Sequence, residues 1–174
     1  MKKKYKDKID EIIRVNHAGE YGAQRIYSGQ IDYCKTEKLK KELEKIIEEE
    51  FEHYDYFDKI MLKKRARPTF LSPLWHNGGY LLGVVTALLG EKYVHACTEA
   101  VEEVIVEHYN EQVKYLEDVG IEKEMLKKIK KFCEDEDNHR SFAEESNKKN
   151  SNADLFKLFT KGLTRLAIKV SKKV

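Results

Sequence analysis

The chain has 174 residues, 37% of them charged, with a net charge of +2. That length suffices for one domain with a sizeable core, and the near-neutral balance excludes a global basic field for nucleic acid. Two prolines and nine glycines favour long helices over a sheet, and there is no run of ~20 apolar residues to span a bilayer.

The start, Met1-Lys2-Lys3-Lys4-Tyr5-Lys6-Asp7-Lys8, runs into no apolar core region and does not read as a secretory leader. A first helix is expected from about Lys8 to Cys34. Ile9, Ile13, Glu20, Ala23, Tyr27 and Ile31 fall near one stripe, which turns Glu20 inward. His17, three residues earlier, can face inward with it and reads as a hydrogen-bond partner or a core histidine rather than a ligand. Gly19 and Gly22 each cost about 1 kcal/mol against alanine in a helix interior. Small residues there suit close approach of another helix, or a ligand, to the backbone.

A turn near residues 35–37 leads to a second helix, expected to end near Arg67 because Pro68 follows. Its inward stripe is Leu39, Leu43, Ile46, Glu50, His53, Phe57 and Ile60. Glu50 and His53 thus stand where leucine or isoleucine is expected. The cluster 63–67 is basic and suits a helix C-terminus, with anionic lipid as another contact.

Residues 68–79 read as the one long break, a crossover between helices two and three. Residues 80–90 are apolar on every face. They are too few to cross a membrane but enough for a buried helix start or a membrane-surface contact. With Phe70, Leu71, Leu74 and Trp75 they form the most hydrophobic part of the chain.

Helix three is expected to continue to about Asp118, with Leu88, His95, Glu99, Glu102, Val106, Tyr109, Val113 and Leu116 on one stripe. Spacing leaves Glu99 and Glu102 both open as inward glutamates. After Gly120, helix four runs from about Glu122 to Asn147 with the stripe Met125, Ile129, Phe132, Glu136, His139 and Ala143. A polar linker, Ser146 to Asn152, leads to a basic amphipathic helix at about 153–172. Leu155, Phe156, Phe159, Leu163, Leu166 and Val170 lie on one side of it. It is read either as lying on a membrane or as packing on the bundle. Cys34, Cys97 and Cys133 form no CxxC and read as buried thiols of a reducing compartment.

In a chain this charged, a single E-x-x-H arises by chance. Here two of them, Glu50/His53 and Glu136/His139, occupy consecutive core positions on separate helices. Residues three apart share a helix face, so each pair can grip one ion. A glutamate aimed into an apolar core is costly unless paired or metal-bound. Two such pairs, plus one glutamate from each of two other helices, form the ligand set of di-iron four-helix bundles. The expected fold is therefore all-α, a ferritin-like four-helix bundle in one domain of 174 residues, with its core over about 8–147.

Four motifs carry a family resemblance. The stretch Arg14 to Gln30, with its HAGEYGA core, resembles the signature of demethoxyubiquinone hydroxylases. So do residues 74–80 (LWHNGGY), 96–103 (ACTEAVEE) and 107–112 (EHYNEQ). The resemblance runs from about Lys8 to Ser146. It implies a ferritin-like protein that binds two iron ions and hydroxylates the ring of a 2-methoxy-6-polyprenyl-benzoquinol with O2, the penultimate step of ubiquinone synthesis. It implies the metal ligands Glu20, Glu50, His53, Glu102, Glu136 and His139, and so chooses Glu102 over Glu99. His108 and Tyr109, just after Glu102, become candidates for supporting the ligands or holding the quinone head.

A lipid-borne polyprenyl quinol implies a membrane surface as partner, peripheral on the cytoplasmic side of a bacterial cell membrane or on the mitochondrial inner membrane. Other ubiquinone-biosynthesis proteins are further candidate partners. No nucleotide-binding glycine loop is present, so an external electron donor is expected. The alternatives are a ferritin-like iron-oxidising or storage protein, which has no need of the apolar segment 70–90, and a di-iron hydroxylase of another substrate such as tRNA. A non-enzymatic helical module leaves the inward glutamates unexplained.

Overall fold

A computed structural model describes residues 2–147 and 153–173. The apolar rows close into six helices: α1 (Lys2–Tyr33), α2 (Glu37–Lys64), α3 (Ser72–Leu89), α4 (Glu91–Val119), α5 (Lys123–Asn147) and α6 (Asp154–Ser171). No strand occurs among the described residues. The chain divides into two compact units, one made of residues up to Val94 together with those from Leu166 onward, the other of His95–Arg165.

In the first unit, Thr36 caps α2, its Oγ1 accepting the Leu39 N–H at 3.3 Å, and Glu37 adds negative charge to the first turn. The buried row of α2 is Leu39, Leu43, Ile46, Glu50, His53, Phe57 and Met61. Met61, rather than the expected Ile60, takes the last position. The helix stops at Arg65, whose left-handed backbone (φ 56°) returns its N–H to Leu62 O. That is two residues before the expected end at Arg67.

The expected break at 68–79 is mostly helix. Pro73, Gly78 and Gly79 argue locally against helix, yet a proline in the first turn loses no hydrogen bond, and α3 begins that way. Gly79, with Gly83 further along the helix, belongs to a close crossing of α3 over α1, whereas Gly78 faces open space. A Cβ on Gly83 would clash with the backbone of Ile26 and lie 3.0 Å from Gln30 N. One on Gly29 would clash with Tyr80 O, and one on Gly79 would lie 2.9 Å from Gly22 O. A close backbone approach was expected near Gly22; Gly29 and Gly83 carry the tighter part of it. Gln30 Nε2 donates to Thr86 Oγ1 at 3.2 Å inside this contact, and Tyr80 Oη donates to Asp32 Oδ2 at 2.9 Å at its edge.

At Gly90 (φ 107°) the chain turns out of helix, so the expected continuous helix 80–118 is two helices. Leu88 falls on α3 and is exposed, off the α4 row. Leu74, Leu81, Val85 and Leu89 are exposed beside it. Among the described residues, no helix is long and apolar enough to cross a membrane.

In the second unit, α4 buries Ala96, Cys97, Ala100, Val104, Tyr109 and Leu116, while α5 buries Met125, Ile129, Phe132 and Ala143. The thiols are free. Burial pushes Cys97 up to about 12, so it is no nucleophile at neutral pH.

The amphipathic helix α6 sits the other way round from a packed core helix. Its basic row meets an acidic row on α4: Lys157 with Glu99 at 2.9 Å, Lys161 with Glu103 at 2.6 Å, and Arg165 with Glu107 at 2.9 Å. Both rows step by four residues, so three pairs register together. Leu155 is left 80% exposed, and Leu158, Phe159 and Leu163 are exposed with it. Most of the expected linker, residues 148–152, lies outside the described residues.

Candidate metal centre

The first unit brings Glu20 of α1 to Glu50 and His53 of α2. One ligand atom from each lies within 4.8 Å of the others, and all three are buried. Glu50 is 0% exposed. His53 Nδ1 is 3.6 Å from Glu20 Oε2. One turn beyond Glu20, Gln24 Nε2 donates to the Glu50 carbonyl at 3.0 Å, which pins α1 to α2 beside the cluster.

The second unit brings Glu102 of α4 to Glu136 and His139 of α5, again with ligand atoms within 4.8 Å of one another and again buried. His139 Nδ1 is 3.1 Å from Glu136 Oε2. Glu99, left open by spacing, is instead held by Lys157 Nζ.

Each trio is thus two carboxylates and one imidazole. Carboxylates gathered out of water repel one another and lose hydration, and a shared cation offsets both costs. Glutamate oxygens with imidazole nitrogen form a hard donor set suited to Fe(II), not to structural zinc, which favours thiolate and a closed tetrahedron. The residues present therefore fit iron. Three protein donors per trio leave positions for other ligands.

Around the first trio, His17 Nε2 lies 3.4 Å from Asp58 Oδ1, and its ring centroid is 4.6 Å from that of Tyr54. Burial pushes the His17 imidazole below its ordinary value, against the pull of Asp58. His17, Tyr21, Tyr54 and His76 line a cleft of about 460 Å³. Tyr21 Oη and His76 Nδ1 hydrogen-bond across it at 2.5 Å. No role was expected for Tyr21, Tyr54 or His76. The available signal was adjacency, since Tyr21 follows Glu20 and Tyr54 follows His53. In the second unit, Tyr109 is buried, and the half-buried His108 places Nδ1 3.7 Å from Glu111 Oε2.

Two long helices, a crossover, two further long helices and a C-terminal helix, with carboxylate–imidazole trios in the interior, define an all-α protein of the ferritin-like class. Residues 7–171 match the family model of ubiquinone biosynthesis protein COQ7. The chain belongs to that family.

It is 46% identical over 132 residues to the mitochondrial NADPH-dependent 3-demethoxyubiquinone 3-hydroxylase of Dictyostelium discoideum, covering 75% of this chain and 61% of that protein. The human protein of the same name is 46% identical over 133 residues, with the same 75% and 61% covered. The 3-demethoxyubiquinol 3-hydroxylase of Rhodospirillum rubrum is 47% identical over 111 residues, 63% of this chain and 52% of that one. The matched region thus spans about three fifths of the first two of these relatives.

Proposed function

We propose that this protein is a di-iron monooxygenase that hydroxylates the ring of a demethoxyubiquinol with O2 in ubiquinone biosynthesis. The observation that carries the reading is the pair of buried trios, each built on an E-x-x-H, in a chain of this family. Glu20, Glu50, His53, Glu102, Glu136 and His139 are the proposed ligands of two iron ions, in a chain proposed to be one ferritin-like domain. Glu50 and Glu136, from the two E-x-x-H helices, would each hold iron together with the histidine of its own helix.

Iron bound there supplies the redox power that activates dioxygen. The protein's own contribution is position and dryness. Gln24 fixes the backbone of Glu50, and the apolar rows of α2 and α5 exclude water on both sides of each pair. The cleft of His17, Tyr21, Tyr54 and His76 is the proposed berth of the quinol ring. Its volume suits a small-molecule site, and its rings offer stacking faces.

One oxygen atom enters the ring and the other leaves as water, which takes two electrons and two protons. The names of the Dictyostelium and human relatives assign theirs to NADPH, and we extend an NADPH-type donor to this chain. Anaerobic loading with Fe(II), then addition of the demethoxyquinol, a reductant and ¹⁸O-labelled O2, should give a product carrying one labelled oxygen. Oxygen consumption with iron oxidation and no altered quinol would instead mark an iron-oxidising protein.

The substrate resides in lipid, which places the enzyme at a bacterial cell membrane or the mitochondrial inner membrane. The exposed rows of α3 and α6 are the proposed contacts, since stable peripheral binding generally takes two weak anchors. Leu81 and Leu88 are both more than half exposed, so aspartate there costs little core packing. Each would contribute ~1.5–3 kcal/mol if fully withdrawn from water into lipid. Leu81→Asp with Leu88→Asp should therefore lower binding to neutral phosphatidylcholine vesicles at least about tenfold, with helicity unchanged. Undiminished binding by the folded double variant would remove α3 from the contact.

A further inference from the structure

A second cleft, of about 710 Å³, opens in the first unit at the end of α2. Arg14, Arg67 and Lys173 contribute its cations, Phe70 forms its lip, and no acidic side chain lines it among the described residues. Arg14 builds it. Its Nε donates to Arg67 O at 2.9 Å and its Nη1 to Lys172 O at 3.2 Å. One guanidinium so joins the segment after α2 to the end of α6, and brings Arg67 and Lys173 to the same opening. These bonds go to backbone carbonyls, so the charge of Arg14 is not neutralised by them. Phe70, 81% exposed, sets a bare ring beside the three cations, and Leu74 continues the apolar surface into α3.

We propose that this cleft binds the phosphate of an anionic membrane lipid. Guanidinium groups present paired donors that match phosphate oxygens, and lysine adds a compact charge. A free phosphate could use the cations but not Phe70 or Leu74. A phospholipid uses both, with its phosphate among Arg14, Arg67 and Lys173 and its glycerol and upper acyl region over Phe70. The juxtaposition selects the lipid. The proposal rests on the membrane-surface part of the reading above, but its assay measures no hydroxylation, so the two can fail separately.

Partition of the full chain is measured on vesicles of phosphatidylcholine alone and of phosphatidylcholine with an equal part of phosphatidylglycerol. Wild type should bind the anionic vesicles more tightly. Removing a cation near an anionic surface weakens binding about fivefold, so Arg67→Gln with Lys173→Gln should lose on the order of 20-fold there and nothing on neutral vesicles. Lys41→Gln with Lys45→Gln, on exposed positions of α2, makes the same change of charge elsewhere and should retain binding. Equal losses in the two double variants would mean a diffuse charge effect and overturn the site. Glycerol 3-phosphate should not release the wild type from anionic vesicles, and release at millimolar concentration would show a soluble phosphate ester as the ligand. Circular dichroism on each variant separates lost binding from lost folding.

Discussion

Glu50→Ala and Glu136→Ala should each lose most of one of about two bound irons and all measurable hydroxylation. Both side chains are almost completely buried, each beside another glutamate and a histidine of its own trio. Alanine leaves that trio one carboxylate and one imidazole, too few donors to hold a ferrous ion against water. The same substitution relieves the cost of burying a carboxylate, so the metal-free variants should melt no lower than metal-free wild type. What they should lose is the rise in melting temperature on adding Fe(II) under anaerobic conditions, because only binding to the folded state stabilises it. Metal analysis and melting curves read this without any turnover. Two variants with full iron content and full activity would sink the ligand assignment.

The helical rows were legible because glutamate and histidine stood at positions that a 3.6-residue period reserves for leucine and isoleucine. Glu20, Glu50, His53, Glu136 and His139 fall on those inward positions, and all five are buried. The period does not separate Glu99 from Glu102, which both face inward. Their difference lies in Lys157, 58 residues away from Glu99, and no local pattern contains that contact.

The crossover differs from its local propensity for a similar reason. Pro73, Gly78 and Gly79 oppose helix on local propensity, whereas the structure uses the glycine-rich run for a helix pressed against α1. For α6, amphipathicity alone leaves open whether the apolar side packs on the bundle or lies on a membrane. The acidic row Glu99, Glu103, Glu107 draws the basic side inward. Glu99, Glu103 and Glu107 stand four apart, as do Lys157, Lys161 and Arg165, but the two rows meet only through tertiary contact. Of the cationic cleft, the basic cluster 63–67 offered Arg67 alone; Arg14 and Lys173 join it only through tertiary contacts.

Gly83→Ala should destabilise the protein, although alanine is the better helix former. Propensity alone favours alanine by about 1 kcal/mol in a helix interior. Against this, the added Cβ falls into the carbonyl of Ile26, 2.9 Å from its carbon and 3.0 Å from Gln30 N. These are backbone atoms of α1, which cannot rotate aside as the end of a side chain can. α3 must move off α1, loosening the buried Gln30–Thr86 hydrogen bond of 3.2 Å. Overpacking of this kind costs ~1–3 kcal/mol and more where the neighbour is rigid, so the clash outweighs the propensity gain. A net loss of about 2 kcal/mol lowers the melting temperature of a chain this size by roughly 4–8 °C. Gly78→Ala is the matched control. It lies on the same helix with nothing within 4 Å of the new Cβ, so it should be neutral or stabilising by up to ~1 kcal/mol. Thermal melts of both variants at one pH, with metal absent, give the comparison. If Gly83→Ala melted as high as Gly78→Ala, α3 would not be held against α1 by backbone contact, and the placement of its exposed apolar row would lose its support.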